Sequence, residues 1–307
     1  MTAFLDILAS VVFLIVSTIL FVDGVEVVSY RLGLTRFATG AFLAAVLTAL
    51  PETTIAIASY FYNDSEATLV GMGSVLAAPS ITLTFAAPLI AIFLKKHGSR
   101  KHVAFNYMVF AVYMTVAVLV SNVSFTGARL ILGPFFIISY LVFARLILSR
   151  EGELMEEKER SFCERLVKRK GNLFAVLQMF VSAMGLAVGA DLFIDGASAY
   201  SSPFTLALLV SPLATCLEEV LVAFYWTFRQ KADVAIGLLS GENLIQSTFV
   251  VGVGMIFTGW NLPAAANTVL AVYLSAAVLL SLFFFMNRSK AASLVILLYP
   301  VYIFAAH

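Results

Sequence analysis

Apolar residues run through this chain in blocks of about twenty, the length of a helix that crosses a hydrocarbon core about 30 Å thick. Short polar breaks divide the 307 residues into ten candidate spans, at 4–28, 37–62, 68–94, 103–120, 127–148, 173–199, 204–228, 233–259, 264–286 and 291–306. Stretches such as Ala271 to Phe285 are apolar on every face. A membrane β-barrel would instead alternate polar and apolar residues over segments of about ten. The pattern therefore predicts an all-α integral membrane protein.

Composition points the same way. Hydrophobic residues make up 61% of the chain and charged residues 12%, with a mean hydropathy of +0.99. A soluble domain carries about 25% charged residues, so most of this surface is expected to face lipid. The first apolar run has no basic residue before it and no small-residue cleavage site, and it reads as a retained helix. Cys163 and Cys216 are far apart and indicate no disulfide framework.

Basic residues test the helix count independently. With ten spans, alternate connections share one side of the membrane. That side receives Arg31, Arg36, Lys95, Lys96, Arg100 and Lys101, then the basic residues of 149–171, then Arg229, Lys231, Arg288 and Lys290. Of 19 Lys and Arg residues only Arg129 falls toward the opposite face. The positive-inside rule makes the populated side cytoplasmic. The chain is thus expected in the cell membrane as a multi-pass protein with both termini extracytoplasmic. Trp226 and Trp260 fall near span ends, as interfacial anchors or lipid-facing aromatics would.

The segment 149–171 mixes five glutamates with basic residues. A sensor, a lipid-contacting amphipathic helix and a solvated hinge all fit such a composition, the hinge most simply. It separates two stretches that repeat each other. With Glu52 placed over Glu219, Thr48 meets Thr215, Leu50 meets Leu217, Ala56 meets Ala223 and Phe61 meets Phe228. After a one-residue gap, Gly71 meets Gly237, Ser74 meets Ser240 and Thr82 meets Thr248. Five spans per half is an odd number, so the second half enters from the opposite side. The expected organisation is a first repeat at 1–148, a charged linker at 149–171 and an inverted second repeat at 172–307, with any solute site at the midplane where they meet.

The candidate chemistry lies in the repeated segments. Leu47-Thr48-Ala49-Leu50-Pro51-Glu52 and Ala214-Thr215-Cys216-Leu217-Glu218-Glu219 both fall inside spans. A mid-membrane carboxylate costs about 2.5–3.5 kcal/mol on lenient insertion scales. Glu52, Glu218, Glu219 and Glu242 together would then cost on the order of 10 kcal/mol. No intramembrane Lys or Arg is placed to neutralise them. Protonation, water or bound cations remain.

Pro51 removes a backbone donor, and the break reads either as a packing kink or as a device that bares carbonyl oxygens to a cavity. Thr48 and Glu52 stand four apart on one helical face, as do Thr215 and Glu219. Hydroxyl, carboxylate and carbonyl oxygens are hard donors suited to Ca²⁺ or Na⁺. In the second repeat Gly237, Gly241, Glu242 and Gln246 form another polar, small-residue break, and the two glycines permit close helix approach. Pro79 and Ser80 mark the corresponding break in the first repeat, with Ser80 aligned to Gln246. For a lone membrane serine, back-bonding to its own helix is an equal alternative. Asp23, Glu26, Asp191 and Asp195 lie in the first span of each half and fit either an ion path or cap and interface roles.

These segments resemble the Ca²⁺:cation antiporter superfamily, most closely its sodium/calcium exchanger branch. The resemblance rests on residues 35–83 and 203–250 and extends in architecture over nearly the whole chain. It implies ten helices in two inverted five-helix repeats, broken at the midplane. It makes Glu52 and Glu219 the central calcium ligands, assigns Thr48 and Thr215 to flanking sodium sites, and places Ser80 and Gln246 where the family has Asn or Asp. Glu218 replaces the proline of the second motif, and Gly241-Glu242-Asn243 replaces its Gly-Ser-Asn. The set of metal-contacting candidates is Glu52, Glu219, Glu242, Thr48, Thr215, Gln246, Ser80 and Glu218.

The expected function is exchange of Ca²⁺ or a similar divalent cation for Na⁺ or H⁺ by alternating access. A passive cation channel, or a transporter of another solute on the same scaffold, is the alternative. His97, His102 and His307 lie in a loop or at the terminus, and there is no His-Glu-x-x-His, so an intramembrane enzyme is not expected. Neither a cofactor nor a nucleic-acid partner is expected. The partners are inorganic cations and the lipid bilayer, and the sequence leaves the oligomeric state open.

Overall fold

The computed structural model describes residues 2–50, 53, 79–94, 100–121, 126–198, 216–257, 260–262 and 266–305. Among these residues the architecture is all-helical, with one isolated bridge between Thr35 and Leu154. In chain order the elements are α1 (Thr2–Arg31), α2 (Arg36–Leu50), α3 (Pro79–Ala91), α4 (Arg100–Ser121), α5 (Thr126–Leu148), α6 (Phe162–Val167), α7 (Asn172–Ser198), α8 (Leu217–Phe228), α9 (Ala232–Phe257), α10 (Ala266–Phe285) and α11 (Ser289–Phe304). Each of the ten intervals expected from the sequence holds one of these helices. Six described helices are long and apolar enough to cross a membrane. The intervals 37–62, 68–94 and 204–228 lie only partly within the described residues, and 173–199, 233–259, 264–286 and 291–306 extend beyond them by one or two residues.

The outer helices wear their apolar side chains outward. On α5, Ile131, Phe135, Ile138 and Val142 are each more than half exposed. They follow one helical face, as lipid contact requires and aqueous solvent would penalise. The centre belongs to α9, which is buried almost from end to end. Its glycines explain how. A Cβ at Gly241 would overlap the backbone of Ala41, and one at Gly40 would overlap the carbonyl of Val234, so α2 and α9 cross backbone to backbone. Among the described residues three wide π-type turns interrupt the core helices, at Thr39–Ala44, Thr82–Ala86 and Gln246–Val250. Such turns leave a carbonyl out of register and recur at functional sites.

α1 and α7 lie along each other, with Gly24 against Met179 and Gly185 against Ser17. The segment 149–171 is mostly exposed, as a solvated connection would be, and is also tied to the helices beside it. Arg36 N–H donates to the Glu153 carbonyl at 2.7 Å and Met155 N–H to the Leu34 carbonyl at 3.1 Å. Ser161 and Glu164 close a capping box at the start of α6. Glu164 also accepts from Gly171 N–H at 2.7 Å and from Arg31 at 2.8 Å. Burial works against the Glu164 charge. The Ser161 and Gly171 amides and the Arg31 guanidinium outweigh it and hold the carboxyl below the usual carboxylate range.

The same docking explains two acidic residues of α1. Asp23 accepts from Phe162 N–H at 2.6 Å and pairs with Lys158 at 2.9 Å and Arg165 at 3.2 Å. Glu26, 2% exposed, pairs with Lys158 and Lys231, both at 2.8 Å, and accepts from the Trp226 indole at 3.3 Å. Of the roles open to them, capping and bridging are the ones these contacts serve. The side chains of Asp191 and Asp195 lie outside the described residues.

Both tryptophans depart from expectation. Trp226 and Trp260 are fully buried, neither anchors nor lipid-facing. Each indole N–H has a protein acceptor, Glu26 for Trp226 and the Ala117 carbonyl for Trp260, and a satisfied donor is what makes that burial tolerable.

Candidate cation site

Polar groups enter the apolar interior on α2, α3, α8 and α9, the first three all packed on the last. α8 starts directly after the buried Cys216 and carries Glu218 and Glu219 in its first turn. An acidic residue there meets the positive end of the helix dipole, reason enough for a surface helix. These two are not at a surface. Glu218 is 3% exposed and Glu219 0%. Neither carboxylate oxygen of Glu219 has a hydrogen-bond partner in another described residue, and no described cation pairs with it.

α9 supplies Glu242 and Gln246, each 1% exposed. They stand four apart and so share a face, just before and at the start of the wide turn at Gln246–Val250. Glu242 lies beside the buried Tyr107 of α4. Around them runs a set of cross-helix hydrogen bonds. Asn243 of α9 donates to the Thr82 hydroxyl of α3 at 3.0 Å, and Asn106 of α4 donates to the Ser240 hydroxyl of α9 at 3.3 Å. These bonds fix α3 and α4 to α9 at the level of the carboxylates.

Ser80, fully buried at the start of α3, hydrogen-bonds the Tyr302 hydroxyl of α11. Tyr302 and Tyr299 also lie beside Cys216, so the starts of α3 and α8 meet against α11. On α2 the buried Thr48 hydroxyl donates to the Ala44 and Ala45 carbonyls at 3.2 and 3.4 Å. That is the usual back-bond of a helical threonine. It also commits the hydroxyl proton and leaves the oxygen lone pairs for a cation.

Six of the eight candidate residues are therefore buried on helices that meet at α9: Thr48, Ser80, Glu218, Glu219, Glu242 and Gln246. Glu52 and Thr215 lie outside the described residues, as does Pro51. Among the described residues no three His, Cys, Asp or Glu side chains converge as a metal cluster. The donor set thus mixes carboxylates with neutral oxygens, which suits hard, weakly held cations. Thr82 and Asn243 stand in the repeat segments without an assigned role at the site, and Asn106 and Tyr107 are polar neighbours that the repeat motifs did not single out. Asn106 in the midst of an apolar span was the available signal, since intramembrane polar groups face protein interiors.

A sequence model described as sodium/calcium exchanger protein matches residues 2–148 and 174–306. An uncharacterised membrane protein, MJ0091 of Methanocaldococcus jannaschii, is 24% identical over 269 residues, covering 86% of this chain and 83% of its own. Among solved structures, the sodium-calcium exchanger NCX_Mj soaked with 2.5 mM Na⁺ and 0.1 mM Ca²⁺ superimposes with a TM-score of 0.78 at 22% identity, covering 100% of this chain and 99% of its own. The same exchanger soaked with 10 mM Na⁺ and no Ca²⁺ gives 0.75 at 23% identity, covering 99% of both chains. At that identity the likeness establishes the shared fold. With the matched segments covering both long helical stretches, the chain belongs to the sodium/calcium exchanger family of membrane cation antiporters.

Proposed function

We propose that this protein exchanges Ca²⁺, or a similar divalent cation, for Na⁺ by alternating access, with Glu219 as the central described ligand. The observation that carries this reading is the Glu219 carboxylate: fully buried, on a helix start, with neither oxygen bonded to another described residue. A carboxylate held so in a membrane protein is stabilised by what it carries. Glu242, Gln246, Glu218, Thr48 and Ser80 complete the described oxygen set. The repeat alignment adds Glu52 and Thr215 from the sequence.

The two halves, 1–148 and 172–307, act as inverted five-helix repeats joined by 149–171, ten spans in all with both termini extracytoplasmic. Support comes from the wide turns of α3 and α9, which fall at Thr82–Ala86 and Gln246–Val250, where the alignment pairs Thr82 with Thr248. One divalent ion or its replacement cations neutralise the carboxylates whenever the site reorients, and this obligation couples the two fluxes. Sodium is the coupling ion that the family indicates.

Purified protein in proteoliposomes is expected to accumulate calcium when an outward sodium gradient is imposed. Uptake driven by a proton gradient alone would replace sodium with H⁺ as the coupling ion. Calcium entry that needs no counter-gradient would make the protein a passive channel.

A further inference from the structure

Two sets of basic residues in the described structure contrast, and others such as Arg145, Arg160 and Arg169 belong to neither. Arg31, Arg36, Lys158, Arg165 and Lys231 each pair with a carboxylate. Lys101, Arg150 and Arg288 pair with none among the described residues. The second group is gathered at one end of the bundle. Lys101 is the second residue of α4, Arg150 follows the end of α5, and Arg288 follows the end of α10. Arg100 donates to the Asn287 carbonyl at 3.3 Å, which joins the start of α4 to the turn bearing Arg288. The Arg150 guanidinium lies 5.0 Å from the Phe105 ring centroid, and one of its buried N–H groups has no acceptor. Helices α4, α5 and α10 contain no Asp or Glu.

Lys101 stands at the rim of an apolar groove, and the Arg150 guanidinium lies over Phe105 of its wall. The groove runs between α4 and α10, has a volume of about 440 Å³, and is walled by Phe105, Met108, Leu282 and Phe285. Phe285 is 67% exposed and Leu282 45%. α4 has 22 residues, about 33 Å at 1.5 Å per residue, so its first turn stands at the level of the headgroups when the helix crosses the bilayer. A free anion would satisfy the cations and leave the groove open. A molecule with an anionic head and an acyl tail satisfies both.

We infer that the α4–α10 groove is a binding site for an anionic glycerophospholipid, its phosphate held by Lys101, Arg150 and Arg288 and one acyl chain laid along Phe105, Met108, Leu282 and Phe285. The site lies apart from the candidate cation site and does not depend on the transport reading. The lipid supplies the negative charge that carboxylates of α1 and of 149–171 supply to the other basic set. The attraction of one Lys or Arg for an anionic lipid surface is about 1 kcal/mol, or about fivefold in affinity.

The test uses the full chain, purified in neutral detergent and stripped of lipid, with native mass spectrometry counting bound phosphatidylglycerol or phosphatidylcholine of identical acyl chains. Phosphatidylglycerol is expected to bind at higher occupancy. Lys101→Ala and Arg150→Ala should each weaken it about fivefold and leave phosphatidylcholine unchanged. Arg169→Ala removes the same charge from 149–171 and should change nothing. Met108→Trp, which fills the groove, should weaken both lipids. Equal binding of the two lipids by the unmodified protein overturns the proposal whatever the variants do. So does a loss with Arg169→Ala equal to that with Lys101→Ala, which would mean general attraction only. Displacement of phosphatidylglycerol by inorganic phosphate at equal concentration would make this a free-anion site and contradict the acyl-chain half of the inference.

Discussion

Glu26 and Glu219 are both glutamates, both buried and both inside apolar helices, yet the protein treats them in opposite ways. Glu26 holds Lys158 and Lys231 at 2.8 Å and the Trp226 indole at 3.3 Å. Glu219 has neither a described cation nor a hydrogen bond from another described residue on its carboxylate. A buried charge is tolerated when it is paired and expensive when it is not. The first glutamate therefore ties α1 to the segment 149–171 and to the turn before α9. The second has no described compensation, and that is why it is proposed as the cation ligand. Burial does not mark a functional acid in this membrane protein. Missing compensation does.

The sharpest way to break the comparison is to neutralise each residue in turn. Glu219→Gln should reduce calcium exchange to the protein-free background while leaving the thermal unfolding midpoint in detergent unchanged or raised, because an uncompensated charge has been removed. Glu26→Gln should do the reverse to stability. It strands two lysines beside a neutral amide, and breaking a buried pair costs about 3–5 kcal/mol. An unfolding midpoint for Glu26→Gln equal to that of the unmodified protein would erase the distinction.

A smaller effect is expected where the interior is tight and uncharged. Gly241→Ala drives a methyl group into the Ala41 backbone. Overpacking of this kind costs about 1–3 kcal/mol, read as a lower midpoint, with residual exchange once the protein is folded. Tolerance of alanine there without loss would mean that α2 and α9 are not held in contact.

These residues also show what was legible in the sequence. The helices were, because runs of apolar residues of membrane length have one cheap conformation in lipid. Glu219, Glu242 and Gln246 were, because a carboxylate or amide in such a run stands out. The pairing of Glu26 was not. Its partners lie 132 and 205 residues away, and no local pattern ties Lys158 or Lys231 to α1. The burial of Trp226 followed from that hidden partner, so an indole near a helix end misread as an interfacial anchor. Asn106 was visible and went unread, since an amide donating to Ser240 across two helices has no repeat counterpart to draw attention to it.

The paired region makes a milder, pH-dependent prediction. Glu164 has its carboxyl lowered in the folded protein, so the stability it contributes is fully present above the ordinary glutamate range, about pH 4, and is lost as pH falls through the folded value. The hydrogen-exchange protection of 149–171, corrected for the intrinsic exchange rate at each pH, should thus be flat near neutrality and fall in acid. Glu164→Gln should exchange faster at neutral pH and lose the acid dependence. Acid-induced protection would carry the wrong sign. At the bottom of the scale, Glu153→Gln removes an exposed partner of Arg36, 67% accessible, and should shift stability by no more than about 1 kcal/mol.

The most direct measurement is calcium uptake into proteoliposomes under an imposed outward sodium gradient, with unmodified protein and Glu219→Gln compared at equal reconstituted amounts. Sodium-dependent accumulation by the first and background uptake by the second is the predicted result. Undiminished uptake by Glu219→Gln would contradict the assignment of this carboxylate to the transported ion.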